Sequence, residues 1–260
     1  MPDFKTTYGP WAIVAGASEG LGAAFAEGLA ERGLNLILIA RRLDKLEELS
    51  KFLQTNYAVE VEVFSLDLAD FMGVKRMISE MQQAVGLLIY NAAYAPIGNF
   101  QDVPEEKLER IVDVNIKTPL LLTKLLSKPM IQKEQGGIIL MSSLAGNQGS
   151  PKIATYAASK AFNLIFAEGL WLELKKHGIA VTASCAGAIS TPGYKKAQNT
   201  KDAPGTLSAR QVAEATLTSL GKGPTVIPGF TNKFAHFLMN RILPRKWAIS
   251  IMNKNTKDLT

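Results

Sequence analysis

The stretch Trp11-Ala12-Ile13-Val14-Ala15-Gly16-Ala17-Ser18-Glu19-Gly20-Leu21-Gly22-Ala23-Ala24-Phe25-Ala26 decides the fold. Residues 11–15 are a short apolar run of the length of a buried strand. Gly16, Gly20 and Gly22 then break the run, and an alanine-rich segment opens a helix expected to continue through Arg32. Glycine at these places lets the backbone turn tightly and approach an anion. The free N–H groups and dipole at a helix start favour a pyrophosphate there. A glycine turn by itself fits a merely tight strand-to-helix connection equally well, so its neighbours must decide.

Outward from this turn the alternation repeats. Apolar runs predict further strands at 34–40, 59–64, 87–91, 137–142, 179–185 and 225–227, with a charged helix ending near 55 and long helices over 108–133 and 153–177. Leu36-Ile37-Leu38-Ile39 is apolar on both faces, as a parallel strand covered by helices on both sides must be. Right-handed crossovers then predict one α/β unit over residues 1–260, a Rossmann-type doubly wound parallel sheet of about seven strands with helices on both faces. Its ligand site lies beyond the carboxyl ends of the strands.

Composition agrees with a globular chain, 47% hydrophobic and 20% charged over 260 residues. The start, MPDFKTTYGP, carries an acid and no apolar core, unlike a secretory signal. No run approaches the roughly 18 apolar residues of a membrane span. The single cysteine, Cys185, excludes an internal disulfide and reads as packing in a buried strand. His177 and His236, far apart, predict no metal site. A soluble cytoplasmic protein is the expectation. The net charge of +6 is uneven: basic and acidic residues balance over 1–221, whereas 222–257 hold Lys222, Lys233, Arg241, Arg245, Lys246, Lys254 and Lys257 with no acid. Nothing in this pattern matches a nucleic-acid-binding motif, and no such partner is expected.

The end of the second strand carries a cofactor preference. An NAD-preferring site places an acid there for the ribose hydroxyls, but the chain reads Ile39-Ala40-Arg41-Arg42. Guanidinium groups match a 2′-phosphate by forked, charge-assisted hydrogen bonds. NADP(H) is therefore the expected cofactor, the alternative being two solvated arginines at a helix start. Asp67 and Leu68 after the third strand, and Asn91, Ala92 and Ala93 after the fourth, sit where adenine and the adjoining ribose should lie. Alternatively Asp67 caps a helix and Asn91 braces the sheet.

The fifth strand ends at Ser142-Ser143, and the next helix carries Tyr156-Ala-Ala-Ser-Lys160. Residues four apart share a helix face. A phenol with pKa ~10 transfers protons poorly near neutrality, and an ammonium beside it would lower that value; about 3 units would require ~4 kcal/mol.

With these residues in place, the sequence resembles the short-chain dehydrogenase/reductase superfamily over residues 8–227. The pattern T-G-x-x-x-G-x-G appears as Ala15-Gly16-Ala17-Ser18-Glu19-Gly20-Leu21-Gly22. A serine stands thirteen positions before Y-x-x-x-K, as Ser143 before Tyr156 and Lys160, and the helical asparagine appears as Asn115 in Val112-Asp-Val-Asn-Ile116. The resemblance implies an NADP(H)-dependent interconversion of a ketone or aldehyde and an alcohol. In it Tyr156 is the general acid or base, Ser143 binds the carbonyl oxygen, Lys160 binds the nicotinamide ribose, and Asn115 holds a relay water. Ser142, lacking the family spacing, is expected to be structural. Three places depart from the pattern: Ala15 for threonine, Tyr90-Asn91-Ala92-Ala93 for N-N-A-G, and Ala186-Gly187-Ala188-Ile189-Ser190-Thr191 for P-G-x-x-x-T. Gly187, Ile189 and Thr191 still match cofactor-contacting positions, Thr191 for the carboxamide. The family also implies a homodimer or homotetramer. A non-catalytic NADP(H)-sensing protein on the same fold is the alternative.

Two segments are left for the substrate. Residues 188–207, with Pro192, Gly193, Tyr194, Lys195, Lys196, Pro204 and Gly205, read as a loop or short helices over the substrate. Residues 230–260 read as a basic amphipathic extension in which Phe230, Phe234, Phe237, Leu238 and Arg241 recur at helical spacing until Pro244. Such a helix packs on its own subunit or on a partner, or lies on an anionic membrane surface. A looser likeness to 3-oxoacyl and steroid-type ketone reductases makes an apolar carbonyl the leading substrate.

Overall fold

In the computed structural model, residues 3–192 and 203–256 are described. The chain runs α1 (Phe4–Tyr8), β1 (Trp11–Ala15), α2 (Gly20–Ala30), β2 (Asn35–Ala40), α3 (Leu43–Asn56), β3 (Val61–Ser65), α4 (Phe71–Glu80), β4 (Val85–Tyr90), α5 (Glu105–Val112), a π turn (Asp113–Lys117), α6 (Thr118–Lys133), β5 (Gly136–Ser143), α7 (Ala154–Lys175) and β6 (Ile179–Ala186). It continues through β7 (Ile189–Ser190), β8 (Leu207–Ser208), α8 (Ala209–Ser219), β9 (Thr225–Val226), α9 (Phe230–Phe237), a second π turn (Leu238–Ile242) and α10 (Arg245–Thr256).

Seven strands form one parallel sheet in the order β3-β2-β1-β4-β5-β6-β9, the doubly wound arrangement that the alternation predicted. The order reverses between β1 and β4, which opens a crevice at their carboxyl ends. Side-chain alternation divides the core in two. Ala12, Val14, Leu36 and Leu38 join Phe25, Leu29 and Leu217 on the face covered by α2, α3 and α8. Ile13, Ile37, Ile39 and Leu88 join Val74, Leu122, Leu126 and Leu174 on the opposite face, under α4, α6 and α7. Fully burying each such Leu, Ile, Val or Phe contributes about 1.5–3 kcal/mol, so both faces must be covered for the sheet to be stable.

Several elements differ from the sequence expectations. β4 begins at Val85, because Trp11 pairs there before a register shift, and Asn91 lies just past its end. β3 starts at Val61, later than expected, since the Val59 N–H bonds back to the Tyr57 carbonyl in a turn. The long helix over 108–133 begins earlier and contains the π turn that carries Asn115. In the tail, helical structure ends at Ile242 and resumes after Pro244 as α10, a helix the periodicity did not indicate. Much of the substrate segment, residues 193–202 including Tyr194, Lys195 and Lys196, lies outside the described residues, as does Lys257. Its two ends are described: β7 and β8 pair in parallel, Ile189 with Leu207 and Ser190 with Ser208.

Candidate active site

A cleft of about 600 Å³ opens at the carboxyl edge of β1, β2, β4, β5 and β6. Gly16, with φ +84°, makes the first turn out of β1; a Cβ there would lie 2.7 Å from the Ala92 backbone. Gly22 is tighter still, since a Cβ would fall 1.9 Å from the Gly16 carbonyl oxygen. The glycine pattern therefore reflects backbone packed on backbone, which lets the start of α2 face the cleft. Asn91 closes the turn by donating from Nδ2 to the Gly16 carbonyl at 2.9 Å. Its side chain braces the glycine loop.

Ser18, Glu19, Gly20, Leu21, Arg41, Arg42, Asp67, Leu68, Ala92, Ala93, Gly187, Ile189 and Thr191 all line the cleft with Gly16 and Asn91. Arg42 donates to Ser18 Oγ at 3.0 Å and pairs with Glu19 Oε1 at 3.0 Å, which places its guanidinium at the loop where a ribose phosphate would lie. Asp67 accepts from the Ala69 N–H at 3.0 Å and from Arg110 at 2.6 Å. Burial pushes its carboxyl up, but the Ala69 N–H and the Arg110 and Arg41 guanidiniums outweigh that and hold it below the ordinary range. Arg110, also over the Tyr94 ring at 5.5 Å, lines the cleft, and sequence reasoning missed it. It lies 43 residues from its partner, so no local pattern could have revealed it.

At the other end Ser143, Tyr156 and Lys160 meet in the cleft wall. Ser143 ends β5, and its Oγ also accepts from the Ala145 N–H at 3.2 Å, capping the following turn. It hydrogen-bonds Tyr156. Lys160, one helical turn beyond Tyr156, is buried; its Nζ donates to the Met141 carbonyl at 2.8 Å and lies 5.6 Å from the Tyr156 ring centre. Ser142 donates to the Lys160 carbonyl at 2.7 Å and tethers the helix to the strand.

Burial pushes the Tyr156 phenol up, with the Ser143 hydrogen bond acting against it. Burial also lowers Lys160 to about 8. The reason is that the ammonium has one carbonyl partner and no carboxylate beside it, so its own charge is the species most penalised.

Asn115 does not line the cleft. Its Nδ2 donates to the Tyr94 carbonyl and to Ser159 Oγ, both at 2.9 Å, and its Oδ1 accepts the Tyr94 N–H at 2.8 Å. Ser159 in turn donates to the Tyr156 carbonyl at 2.7 Å, and Asn163 donates to the Asn115 carbonyl at 3.2 Å. The π turn is thereby bolted to α7. Tyr90, which departs from the family pattern, donates its hydroxyl to the Val114 carbonyl in that same turn. Among the described residues no group of His, Cys, Asp and Glu is arranged to hold a metal.

Could the cleft take a dinucleotide? Its glycine cradle at a helix start suits a pyrophosphate, Arg41 and Arg42 suit a further phosphate, and Lys160 keeps donors for ribose hydroxyls beyond the one it spends on Met141. The residues fit. A parallel sheet with such a cradle at its switch point is the architecture of nucleotide-binding α/β proteins.

Comparison with known proteins narrows that class. The sequence profile of the short chain dehydrogenase family matches residues 10–202, and the chain belongs to that family. It is 30% identical over 258 residues to a very-long-chain 3-oxoacyl-CoA reductase of Pyrenophora tritici-repentis, covering 92% of this chain and 74% of that protein. It is 31% identical over 234 residues to a 7beta-hydroxysteroid dehydrogenase of Clostridium sardiniense, covering 89% and 90%. A Mus musculus relative named inactive hydroxysteroid dehydrogenase-like protein 1 is 29% identical and covers 98% of this chain and 80% of that protein. Among solved structures, a 7beta-hydroxysteroid dehydrogenase superposes with a TM-score of 0.90 at 27% identity, covering 96% and 99%. A short-chain dehydrogenase from Sphingobium yanoikuyae in complex with NADPH gives 0.76 at 30%, covering 84% and 87%. The chain is thus built as an oxidoreductase of this family, whose members use a nicotinamide cofactor.

Proposed function

We propose that this protein is an NADP(H)-dependent carbonyl reductase acting on an apolar ketone. The convergence of Ser143, Tyr156 and Lys160 at one end of a cleft whose other end holds Arg41 and Arg42 carries this reading. NADP(H), when bound, supplies or accepts the hydride. Tyr156, a protonated phenol near neutrality, gives its proton to the carbonyl oxygen. Ser143 donates to the same oxygen and fixes its position. Lys160 holds the ribose and anchors Tyr156 geometrically. Asn115 positions α7 through Ser159. We also assign to its carbonyl, which takes one hydrogen bond from Asn163 and has a second lone pair, the relay water that reprotonates the lysine.

An apolar substrate is supported by the aromatic tail beside the cleft and by the acyl and steroid names of the relatives. Exposed Val112, Leu120, Ile165 and Leu172 on α5, α6 and α7 fit a second copy, and we infer a homodimer or homotetramer. The single, buried Cys185 thiol suits a cytoplasmic setting. The relative named inactive favours a second reading, a cofactor-sensing protein without turnover. NADPH oxidation measured against carbonyls graded by chain length and ring size decides between them. Turnover of long-chain or polycyclic ketones is the expected result. Reduction of small polar carbonyls alone would refute the apolar substrate; no turnover with tight NADPH binding would select the sensor.

A further inference from the structure

The tail presents an apolar stripe that stands exposed among the described residues. Phe230 is 85% exposed, Phe234 61%, Phe237 54% and Ile242 59%, while Asn232 on the other side of α9 is buried. On α10 the exposed Trp247 and Ile251 oppose the buried Ala248 and Thr256. Large exposed aromatic side chains in such a row mark an interaction surface. Its charge is one-sided: Lys222, Lys233, Arg241, Arg245, Lys246 and Lys254 accompany these residues, and 222–256 contain no acid.

The tail is also fastened to both lips of the cleft. Asn232 donates to the carbonyls of Gly205 and Pro228 at 3.1 and 3.0 Å, and its amide fills the space beside Gly187, which lines the cleft. On the opposite lip Arg245 donates to the Asn147 carbonyl at 2.5 Å, in the turn that follows Ser143, and Ile249 packs at Gly149. A surface that engages the tail therefore lies beside the mouth of the active site.

We propose that α9, the π turn after it and α10 dock the protein on an anionic phospholipid surface. Phe230, Phe234, Phe237 and Ile242 enter the headgroup boundary, while Lys233 and Arg241 meet lipid phosphates. Charge complementarity selects this occupant. Two copies joined symmetrically through the stripe would oppose Lys233 and Arg241 to the same cations, with no carboxylate within residues 222–256 to offset them, which disfavours self-association there. Docked this way, the cleft receives an apolar carbonyl directly from the bilayer, a corollary that rests on the function proposed above.

Full-length protein is to be sedimented with phosphatidylcholine vesicles, with and without phosphatidylserine. Binding to the anionic vesicles only, weakening with added salt, is expected. Replacing both Lys233 and Arg241 by Gln should weaken it roughly thirtyfold. F234S/F237S should abolish it while leaving the urea midpoint unchanged, since both side chains are exposed. Failure to bind anionic vesicles, equal binding to neutral ones, or conversion of an oligomer to monomer by F234S/F237S would overturn the proposal, the last by showing that a second copy covers the stripe. Sedimentation needs no turnover, so loss of the reductase reading would leave the docking result standing.

Discussion

Tyr156 and Lys160 stand one helical turn apart, and burial moves their pKa values in opposite directions for one reason: it favours the neutral phenol and disfavours the charged ammonium. Replacing Tyr156 by Phe removes the proton donor and little else. We expect turnover to fall by about 10²–10⁴-fold while NADPH affinity, read by fluorescence titration, stays within about twofold. Lys160 makes a prediction about stability. Its value falls from 10.5 to about 8 on folding, so the charged form is penalised by ~3 kcal/mol in the native state. Between these two values the unfolded chain holds a proton that the folded chain has released, and stability on this account rises with pH. K160M, which cannot titrate, lacks that rise. Its urea midpoint should compare most favourably with the wild type below pH 8, and the comparison should turn towards the wild type by pH 10. A pH-independent difference would contradict the assignment. The variant should also lose activity.

At the scale of elements, the site depends on joints between segments distant in sequence. Asn115 in the π turn reaches Ser159 in α7, which bonds the Tyr156 carbonyl. Ser159→Ala removes one buried partner, and a cost of about 1–3 kcal/mol is expected from the unfolding midpoint. Because the joint positions Tyr156 without touching substrate, kcat should fall with KM nearly unchanged. The proposed preference for NADP(H) is tested at the junction of β2 with α3. Arg42 is held there by Ser18 and Glu19 at the glycine loop. R42A should lower kcat/KM for NADPH by about 10–100-fold and leave the value for NADH unchanged. Equal loss with both cofactors would show that the arginine supports the loop and does not read a phosphate.

At the scale of the molecule, two exposed apolar regions compete for partners. One is the stripe on the tail; the other is the side of α7, with Ile165 and Leu172 both about two-thirds exposed, at 65% and 67%. Assembly through α7 predicts that I165E/L172E lowers the mass measured by light scattering to that of a single 28.2 kDa chain. An unchanged mass would place the contact elsewhere. The same pair of substitutions should not affect vesicle binding, which belongs to the other region.

The fold was legible in the sequence because burial on both faces of a parallel strand forces continuous apolar runs such as Leu36-Ile37-Leu38-Ile39, and because a strand-to-helix turn this tight admits only glycine at Gly16 and Gly22. The candidate residues were legible for the same local reason: Tyr156 and Lys160 share a helix face, and Ser143 ends a strand. What the sequence could not express were relations across space. The Arg110 bond to Asp67, the Tyr90 hydroxyl on the π turn, the β7–β8 clamp and the fastening of the tail by Asn232 and Arg245 join residues with no common period. The protonation of Tyr156 and Lys160 was likewise decided by tertiary structure, since the depth of burial, which raises the phenol and lowers the ammonium, leaves no mark along the chain.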